Sequence, residues 1–291
     1  MVTSSIDVLI VFHNSAKFVG PLLDSLRRLS IPVTAYFLDN SSADDTVERL
    51  IPGIAQVPFR TYFFRSRTNN GFARGMNLLA RQSAGKFMFL LNPDTELAEG
   101  CLEKLLARAE SDPSTGLCEA RQWPREHPKV YNSKTDETSW CTGAAVLVRR
   151  QAFEDVGGFD ERIFFMYCED VDLSWKFWLR GWKCIYVRDA VVKHYTQDVL
   201  PGKRRTVENY FSFRNSLFLF YRFGFWDEKR ILFKFLSNRF IFGRYSLRSR
   251  ILYAFAFADH IRYIPYLLKT RHLWCANRHP WIRLEETSLA E

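Results

Sequence analysis

The sequence predicts an α/β fold, a doubly wound and mostly parallel sheet followed by a basic, aromatic-rich helical region. Three observations predict it. Over the first hundred residues, short apolar runs alternate with amphipathic stretches. A small cluster of Asn, Asp, Ser or Gly follows each apolar run. The last third of the chain concentrates positive charge among Phe, Tyr, Leu and Ile.

The runs Asp7 to Phe12, Val33 to Leu38, Thr61 to Phe64 and Lys86 to Leu91 are short and rich in Val, Ile, Leu, Phe or Tyr, as buried parallel strands are. Between them, Phe18, Leu22, Leu26 and Leu29 repeat at helical spacing, Thr46 to Ile51 reads as a shorter helix, and Ala73 to Ser83 as a third. Strand, helix, strand in this order gives parallel strands joined by crossovers. Ligands of such sheets gather at the carboxyl ends of the strands. His13-Asn14, Asp39-Asn40-Ser41-Ser42, Asn69-Asn70-Gly71 and Asn92-Pro93-Asp94 stand at those four ends. Each is also ordinary turn and helix-cap chemistry taken singly; four at one sheet edge point to a site.

From Glu119 to Ser139 the chain is polar, broken by Pro124 and Pro128, and reads as a long loop of the kind that carries function. Cys141 to Val148 leads from small residues into a strand, Gly157-Gly158-Phe159-Asp160 makes a turn, and Asp170 to Arg180 reads as a helix with Asp170 and Asp172 near its start. Carboxylates there also suit the positive end of a helix, so capping is their bland reading.

At 291 residues with 47% hydrophobic content, the chain suffices for one large or two small globular domains. Cys101, Cys118, Cys141, Cys168, Cys184 and Cys275 form no CxxC pair, which fits neither a zinc site nor a dense disulfide framework and predicts reduced thiols. The N-terminal residues lack the pattern of a secretory leader, and the most apolar stretch, Ile251 to Leu268, contains Asp259, His260 and Arg262. The reading is a cytoplasmic protein without a spanning helix. Residues 1–200 are balanced at 24 Lys/Arg against 25 Asp/Glu, whereas residues 201–283 hold 17 against 4. The excess charge therefore lies in the C-terminal third.

Two acidic clusters stand out. Asn92-Pro93-Asp94-Thr95 follows an apolar run, and Glu169-Asp170-Val171-Asp172 lies further along. Carboxylates at the end of a strand can hold a hard divalent cation against substrate phosphates, and a second acidic cluster can supply a base. No GxGxxG follows the first strand, where Phe12-His13-Asn14-Ser15 stands instead, so a nicotinamide-dependent oxidoreductase lacks its fingerprint.

The ordered set Asp39-Asn40-Ser41-Ser42-Ala43-Asp44-Asp45-Thr46, Asn70-Gly71-Phe72-Ala73 with Asn77, Leu91-Asn92-Pro93-Asp94, Thr142-Gly143-Ala144, Gly157-Gly158-Phe159-Asp160-Glu161, Phe164, Phe165, Tyr167, Glu169, Asp170, Asp172, Leu173 and His194 resembles a family 2 glycosyltransferase, most closely its rhamnosyltransferase-like branch. The resemblance covers roughly residues 6–198 and implies the Rossmann-like GT-A fold, a catalytic domain over residues 1–200 and a separate helical region over 201–291. It implies that Asp39 contacts the base or ribose of a nucleotide-sugar donor, with His13, Asn14, Ser41 and Asn70 in the same pocket. Asn92 and Asp94 stand at the family's metal motif, with Asn in its first place, so Asp94 becomes the principal ligand of Mg²⁺ or Mn²⁺ and Asn92 a helper beside the nucleotide. His194 corresponds to a histidine that completes the metal or diphosphate site. Asp170 corresponds to the catalytic base of an inverting transfer, with Glu169 and Asp172 beside it to raise its proton affinity by like-charge repulsion. Arg121, Trp123 and Trp140 are the expected acceptor contacts. The donor implied is dTDP-rhamnose, with UDP or GDP sugars as alternatives, and the acceptor is a cell-envelope or lipid-linked glycan.

In the last third, Glu208 to Leu219, Ile231 to Phe242 and Ile251 to Leu268 carry apolar residues at helical intervals with Arg or Lys between them. In the second, Ile231, Leu232, Phe235, Leu236 and Phe240 share a face, and Lys234, Asn238 and Arg239 tend toward the other. Such helices can lie in the interface of an anionic membrane, here the inner face of the cytoplasmic membrane. Packing on the catalytic core or a dimer contact are the alternatives. Basic residues interleaved with aromatics can also bind single-stranded nucleic acid, and a non-catalytic protein acting through this region is the rival function. The acidic motifs argue against nucleic acid as a partner.

Overall fold

The protein, a computed structural model, is described over residues 5–126, 130–195, 201–225, 228–274 and 278–284. Pro128, Cys275 and the terminal Glu285, Glu286 and Glu291 lie outside the described residues. The first strand, β1 (Ile6–Phe12), is buried along its whole length. Its alternating side chains split between two cores, Ile6, Val8, Ile10 and Phe12 to one and Leu9 and Val11 to the other. Such two-sided burial is why the strand reads as an unbroken apolar run.

Beyond β1 follow α1 (Val19–Arg27), β2 (Val33–Asp39), α2 (Thr46–Ile54), β3 (Arg60–Arg65), α3 (Gly71–Gln82), β4 (Phe87–Leu91), β5 (Thr95–Leu97), α4 (Cys101–Ser111), β6 (Thr115–Trp123), β7 (Ala145–Arg149), α5 (Arg150–Asp155), α6 (Glu169–Leu179) and β8 (Lys183–His194). The eight strands form one sheet in the order β3-β2-β1-β4-β7-β6-β8-β5. Strands β3, β2, β1 and β4 are parallel, as is the pair β6 and β8, while β7 runs against β4 and β6, and β5 against β8. The sheet is therefore mostly parallel, as expected. Because β1 lies between β2 and β4, the loops leaving β1 and β4 diverge and open a crevice at the switch point.

One sequence expectation fails here. Glu119 to Trp123 belongs to β6 and is not loop, so Arg121 and Trp123 project from a strand. Glu119 and Gln122 are buried polar residues in that strand, and an interior lined with polar side chains erases the apolar pattern that marks a strand. Opposite them β8 bulges: Ala120 pairs with Val187 and Arg121 with Val191, so residues 188–190 loop out of register. The bulge re-aims the end of β8, where His194 sits.

The C-terminal third forms α7 (Pro201–Phe223), α8 (Lys229–Ser237), a π-helical turn at Asn238–Phe242, α9 (Leu247–Ile261) and α10 (Ile264–Arg271). Phe213, Leu217, Phe218, Leu219, Phe220 and Phe223 of α7 are buried in the same core as Met76 of α3 and Trp175 of α6. At about 1.5–3 kcal/mol for each fully buried large apolar side chain, α7 is an integral wall of the core. Arg214, Arg222 and Arg239 are buried as well. Arg239 packs beside the rings of Phe235, Tyr245 and Tyr253, which corrects the expectation that it joins the polar face of its helix. Part of the basic excess is thus structural. Among the described residues no helix is long and apolar enough to cross a membrane.

Candidate active site

The loops after β1, β2 and β3 knit together through Asn40. Its amide donates to Asn69 Oδ1 at 3.0 Å and to the Gly71 carbonyl at 3.1 Å, and its Oδ1 accepts from the Asn70 backbone at 3.0 Å. Asn14 and Ser41 both adopt left-handed backbone, with φ of 50° and 66°. Asn14 Oδ1 caps the Ala43 N–H at 2.8 Å, and its own N–H reaches Ser42 Oγ at 3.0 Å. Asp39, at the end of β2, is fully buried. One of its oxygens accepts from the Ser42 N–H at 3.2 Å. The other lies 3.5 Å from Arg65 Nε, an ion-pair distance that leaves it without a hydrogen bond among the described residues. A buried carboxylate oxygen in that state suits a ligand's N–H or O–H. His13 Nδ1 sits 3.1 Å from the Asn40 carbonyl, Ser41 Oγ donates to the Arg67 carbonyl at 3.3 Å, and Asn70 holds Ser66 and Thr68. The five expected nucleotide residues of these loops therefore line one sheet edge.

A second constellation lies across the crevice. The β5–β8 register pairs Thr95 with His194, which brings His194 Nε2 to 3.2 Å from Asp94 Oδ1. Both side chains are largely buried. His194 Nδ1 meets Gln122 Oε1 at 2.6 Å, Gln122 Nε2 donates to Thr142 Oγ1 at 2.8 Å, and Thr142 Oγ1 donates to Glu119 Oε1 at 2.9 Å. With Nδ1–H facing Gln122 Oε1, Nε2 of a neutral imidazole and Asp94 Oδ1 stand side by side as two acceptors, a pair that a cation can share. Asp94 and His194 therefore fit a divalent cation. Among the described residues no group of three or more His, Cys, Asp or Glu could hold a metal, so phosphate oxygens would complete the coordination, as is usual for Mg²⁺.

The tripeptide Thr142-Gly143-Ala144 joins this pair to the second acidic cluster. Thr142 belongs to the chain of hydrogen bonds just described, the Gly143 N–H donates to Asp170 Oδ2 at 3.1 Å, and the Ala144 carbonyl accepts from the Asn92 N–H at 2.8 Å. Asp170 is half-buried at the start of α6. The segment leading into α6 is held in left-handed backbone at Tyr167 and Cys168, with φ of 67° and 64°, a strain of about 1–3 kcal/mol per residue of the kind found at functional sites.

The neighbours of Asp170 divide sharply. Burial, then the charge of Asp170, pushes the Glu169 carboxyl well above its ordinary range. Burial works the same way on Asp172, but Arg222 and Lys176 outweigh it and hold this carboxylate below its ordinary value. Lys176 Nζ lies 2.8 Å and Arg222 Nη1 2.5 Å from it. Asp172 is thus paired with two buried cations, which temper the negative charge it was expected to lend to Asp170. Trp140 is buried in the core, 9% exposed. Trp123 is half exposed at the end of β6, and Arg121 is partly buried on the same strand. Sequence reasoning missed Glu119 and Gln122 of β6 and the α7 residues Asn215 and Arg222, and it placed Asn40 at the site edge without giving it a role.

Comparison with known proteins agrees with this geometry. Residues 7–158 match the family Glycosyl transferase family 2, and residues 129–282 match Glycosyl transferase family group 2. The chain is similar to the N-acetylglucosaminyl-diphospho-decaprenol L-rhamnosyltransferase of Mycobacterium tuberculosis, with 31% identity over 230 residues that span 60% of this chain and 72% of the relative. It is similar also to the O-antigen chain rhamnosyltransferase RfbN of Salmonella typhimurium, at 25% identity over 211 residues, 65% of this chain and 66% of the relative. Among solved structures, a mannosyltransferase from Pyrobaculum calidifontis in complex with GDP-Man and Mn²⁺ superposes with a TM-score of 0.57 at 16% identity, covering 97% of this chain and 78% of the other. The shared fold is the GT-A fold.

Proposed function

The chain belongs to glycosyl transferase family 2 and is a nucleotide-sugar-dependent glycosyltransferase, and from that premise we propose that it transfers rhamnose, with inversion, from dTDP-rhamnose to a hydroxyl of a lipid-linked envelope glycan. The observation that carries the reading is the stitching of Asp94 and His194 to Asp170 through residues 142–144. Asp39 receives the base or ribose on its unsatisfied oxygen, with His13, Asn14, Ser41 and Asn70 around it. Asp94 and His194 hold Mg²⁺ or Mn²⁺, and Asn92 lies beside the diphosphate. Bound there, the cation supplies charge stabilisation to the departing phosphate, so no general acid is needed. Asp170 accepts the proton of the attacking hydroxyl, which approaches the anomeric carbon from the face opposite the diphosphate through an oxocarbenium-like transition state. The Gly143 N–H keeps that carboxylate oriented. The rhamnosyl relatives support the sugar, and the decaprenol-linked substrate in the name of one of them supports the acceptor. UDP and GDP sugars are the competing donors.

Exposed apolar side chains concentrate in α8 to α10: ten of the fourteen large exposed hydrophobics described fall between residues 233 and 273, among them Phe233, Phe242, Leu247 and Phe255. Exposed Lys229, Arg230, Lys234, Arg244 and Arg248 flank them. This pairing of apolar and cationic groups supports attachment to the anionic inner face of the cytoplasmic membrane, where a lipid-linked acceptor would be met. The burial of Arg214, Arg222 and Arg239 leaves fewer cations for a nucleic-acid groove.

A donor screen tests the proposal. Purified protein with Mg²⁺ or Mn²⁺ is heated with a panel of nucleotide sugars, beside Asp94→Ala and Asp170→Asn. Metal-dependent stabilisation by dTDP-rhamnose is expected, lost in Asp94→Ala and kept in an inactive Asp170→Asn. Stabilisation by a UDP or GDP sugar alone overturns the donor, and a fully active Asp170→Asn overturns the base.

A further inference from the structure

The hydrogen-bonded chain behind His194 has a direction. Thr142 donates its single hydroxyl proton to buried Glu119 Oε1 at 2.9 Å. Thr142 Oγ1 then has only lone pairs for Gln122, which must turn its amide nitrogen toward it, at 2.8 Å. That fixes Gln122 Oε1 on the other side, 2.6 Å from His194 Nδ1, where only an N–H can face it. Nδ1 therefore carries a proton, and the neutral imidazole is left with one tautomer, its Nε2 lone pair pointing at Asp94 Oδ1, 3.2 Å away. Glu119, Gln122 and Thr142 are all buried, so water does not compete for these bonds. The polarity of the whole chain is set at its far end, three side chains from the imidazole.

We propose that Glu119, Thr142 and Gln122 are positioning residues, a relay that locks His194 as the Nδ1–H tautomer and aims its Nε2 lone pair into the cation site. The consequence for metal binding rests on the reading that Asp94 and His194 hold the cation; the tautomer itself does not. Reversing the relay converts a ligand into a blocker. If Gln122 flips, its NH₂ donates to Nδ1, the ring proton moves to Nε2, and that N–H donates to Asp94 and closes the site. Outer partners of this kind are worth about 10- to 100-fold in metal affinity.

The test begins with the metal-free, full-length protein labelled with ¹⁵N-histidine at about pH 8, its His194 signal assigned by loss in His194→Asn. Long-range ¹H–¹⁵N spectra report the tautomer directly. Nδ1–H is expected in the native protein, the opposite or a mixed tautomer in Thr142→Val, and the native pattern again in Thr142→Ser. Gln122→Leu, close in size, gives the same loss of preference should Thr142→Val fail to fold. A native Nε2–H tautomer, or one unmoved by both variants, overturns the relay. Mn²⁺ binding with a nucleoside diphosphate present, read by electron paramagnetic resonance, is expected to weaken about tenfold or more in Thr142→Val and to recover in Thr142→Ser. Unchanged Mn²⁺ affinity in Asp94→Asn sinks the cation reading and leaves the tautomer result standing, so the two failures are distinguishable.

Discussion

The side-chain amide of Asn215, buried on α7, donates to the Tyr167 carbonyl at 2.7 Å and to the Met166 carbonyl at 2.9 Å. A helix beyond the nucleotide-binding half thereby clamps the strained turn that leads into Asp170. Asn215→Ala strips two carbonyls of a buried donor, and the expected loss is about 1–3 kcal/mol of stability. The turn then relaxes and Asp170 shifts. Turnover should fall about 10- to 100-fold with the donor Michaelis constant nearly unchanged, because the proposed donor pocket around Asp39 lies elsewhere. Steady-state kinetics that show the loss in donor binding instead would refute the clamp.

Arg222 bridges two carboxylates, Asp172 of α6 and Asp160 of the preceding turn, each at 2.5 Å. Replacing it with Met leaves buried negative charge beside Lys176 alone, and about 3–5 kcal/mol should be lost. The pH dependence follows from the sign of the shift. Arg222 and Lys176 depress Asp172 despite its burial, so its contribution is present above the ordinary carboxylate range and disappears as pH falls through the lowered value. Thermal melts should show native protein and Arg222→Met converging in strongly acidic buffer and diverging toward neutrality. A constant gap would assign the loss to packing alone.

These two contacts explain what could and could not be read from the chain. The parallel strands β1 to β4 were legible because each is apolar on both faces, and Asp39, Asp94 and Asp170 were legible because polar clusters stand out after such runs. Strand β6 was not, because Glu119 and Gln122 place polar groups in its interior. The charge balance located the basic third correctly, yet composition cannot separate a solvated arginine from one sealed against Asp172. Sequence spacing is blind to a partner 50 residues away. Trp140 likewise shows that sequence cannot give burial, since an aromatic ring beside a polar stretch packs into the core here.

Glu169 yields a test with the reverse sign. Burial first, then the nearby Asp170 charge, raises its carboxyl well above the ordinary range, and its Oε2 has no hydrogen-bond partner among the described residues. A raised acid contributes stability fully below its unfolded pKa and loses it as pH rises through the folded value. Glu169→Gln keeps the shape of the neutral acid. It should match the native protein at low pH and exceed it in alkaline buffer, as read from melting temperatures across the range. A destabilised alkaline variant would mean that the ionised carboxylate is held by a positive partner.

Gly71 begins α3 with φ of 77°, and a Cβ added there would sit 2.2 Å from the Phe165 carbonyl. The same carbonyl accepts from the Phe72 N–H at 2.7 Å, so the loop after β3 and the turn before α6 touch at this point without room for a methyl. Gly71→Ala should cost about 1–3 kcal/mol or more, from left-handed strain and displaced backbone together. Both halves of the crevice would move, so donor binding and turnover should decline in parallel, unlike the turnover-only loss of Asn215→Ala. Normal stability in Gly71→Ala would show that the two loops can separate.

The apolar face of α9 sets the last test. Leu247, Ile251 and Phe255 recur at four-residue intervals and are exposed at 75%, 49% and 67%, with Arg244 and Arg248 beside them. An exposed stripe of this kind loses free energy of contact with water only when something covers it, and flanking cations select an anionic surface at about 1 kcal/mol per Lys or Arg near it. Phe242→Ser with Phe255→Ser should lower affinity for phosphatidylglycerol vesicles by about tenfold or more while leaving hydrolysis of a soluble donor intact. Added salt should weaken the native protein's binding as well, since the charge contribution is screened. Vesicle binding that ignores both the substitutions and the salt would remove α9 from the membrane contact, and concentration-dependent self-association abolished by the same pair would assign the stripe to a second copy of the chain.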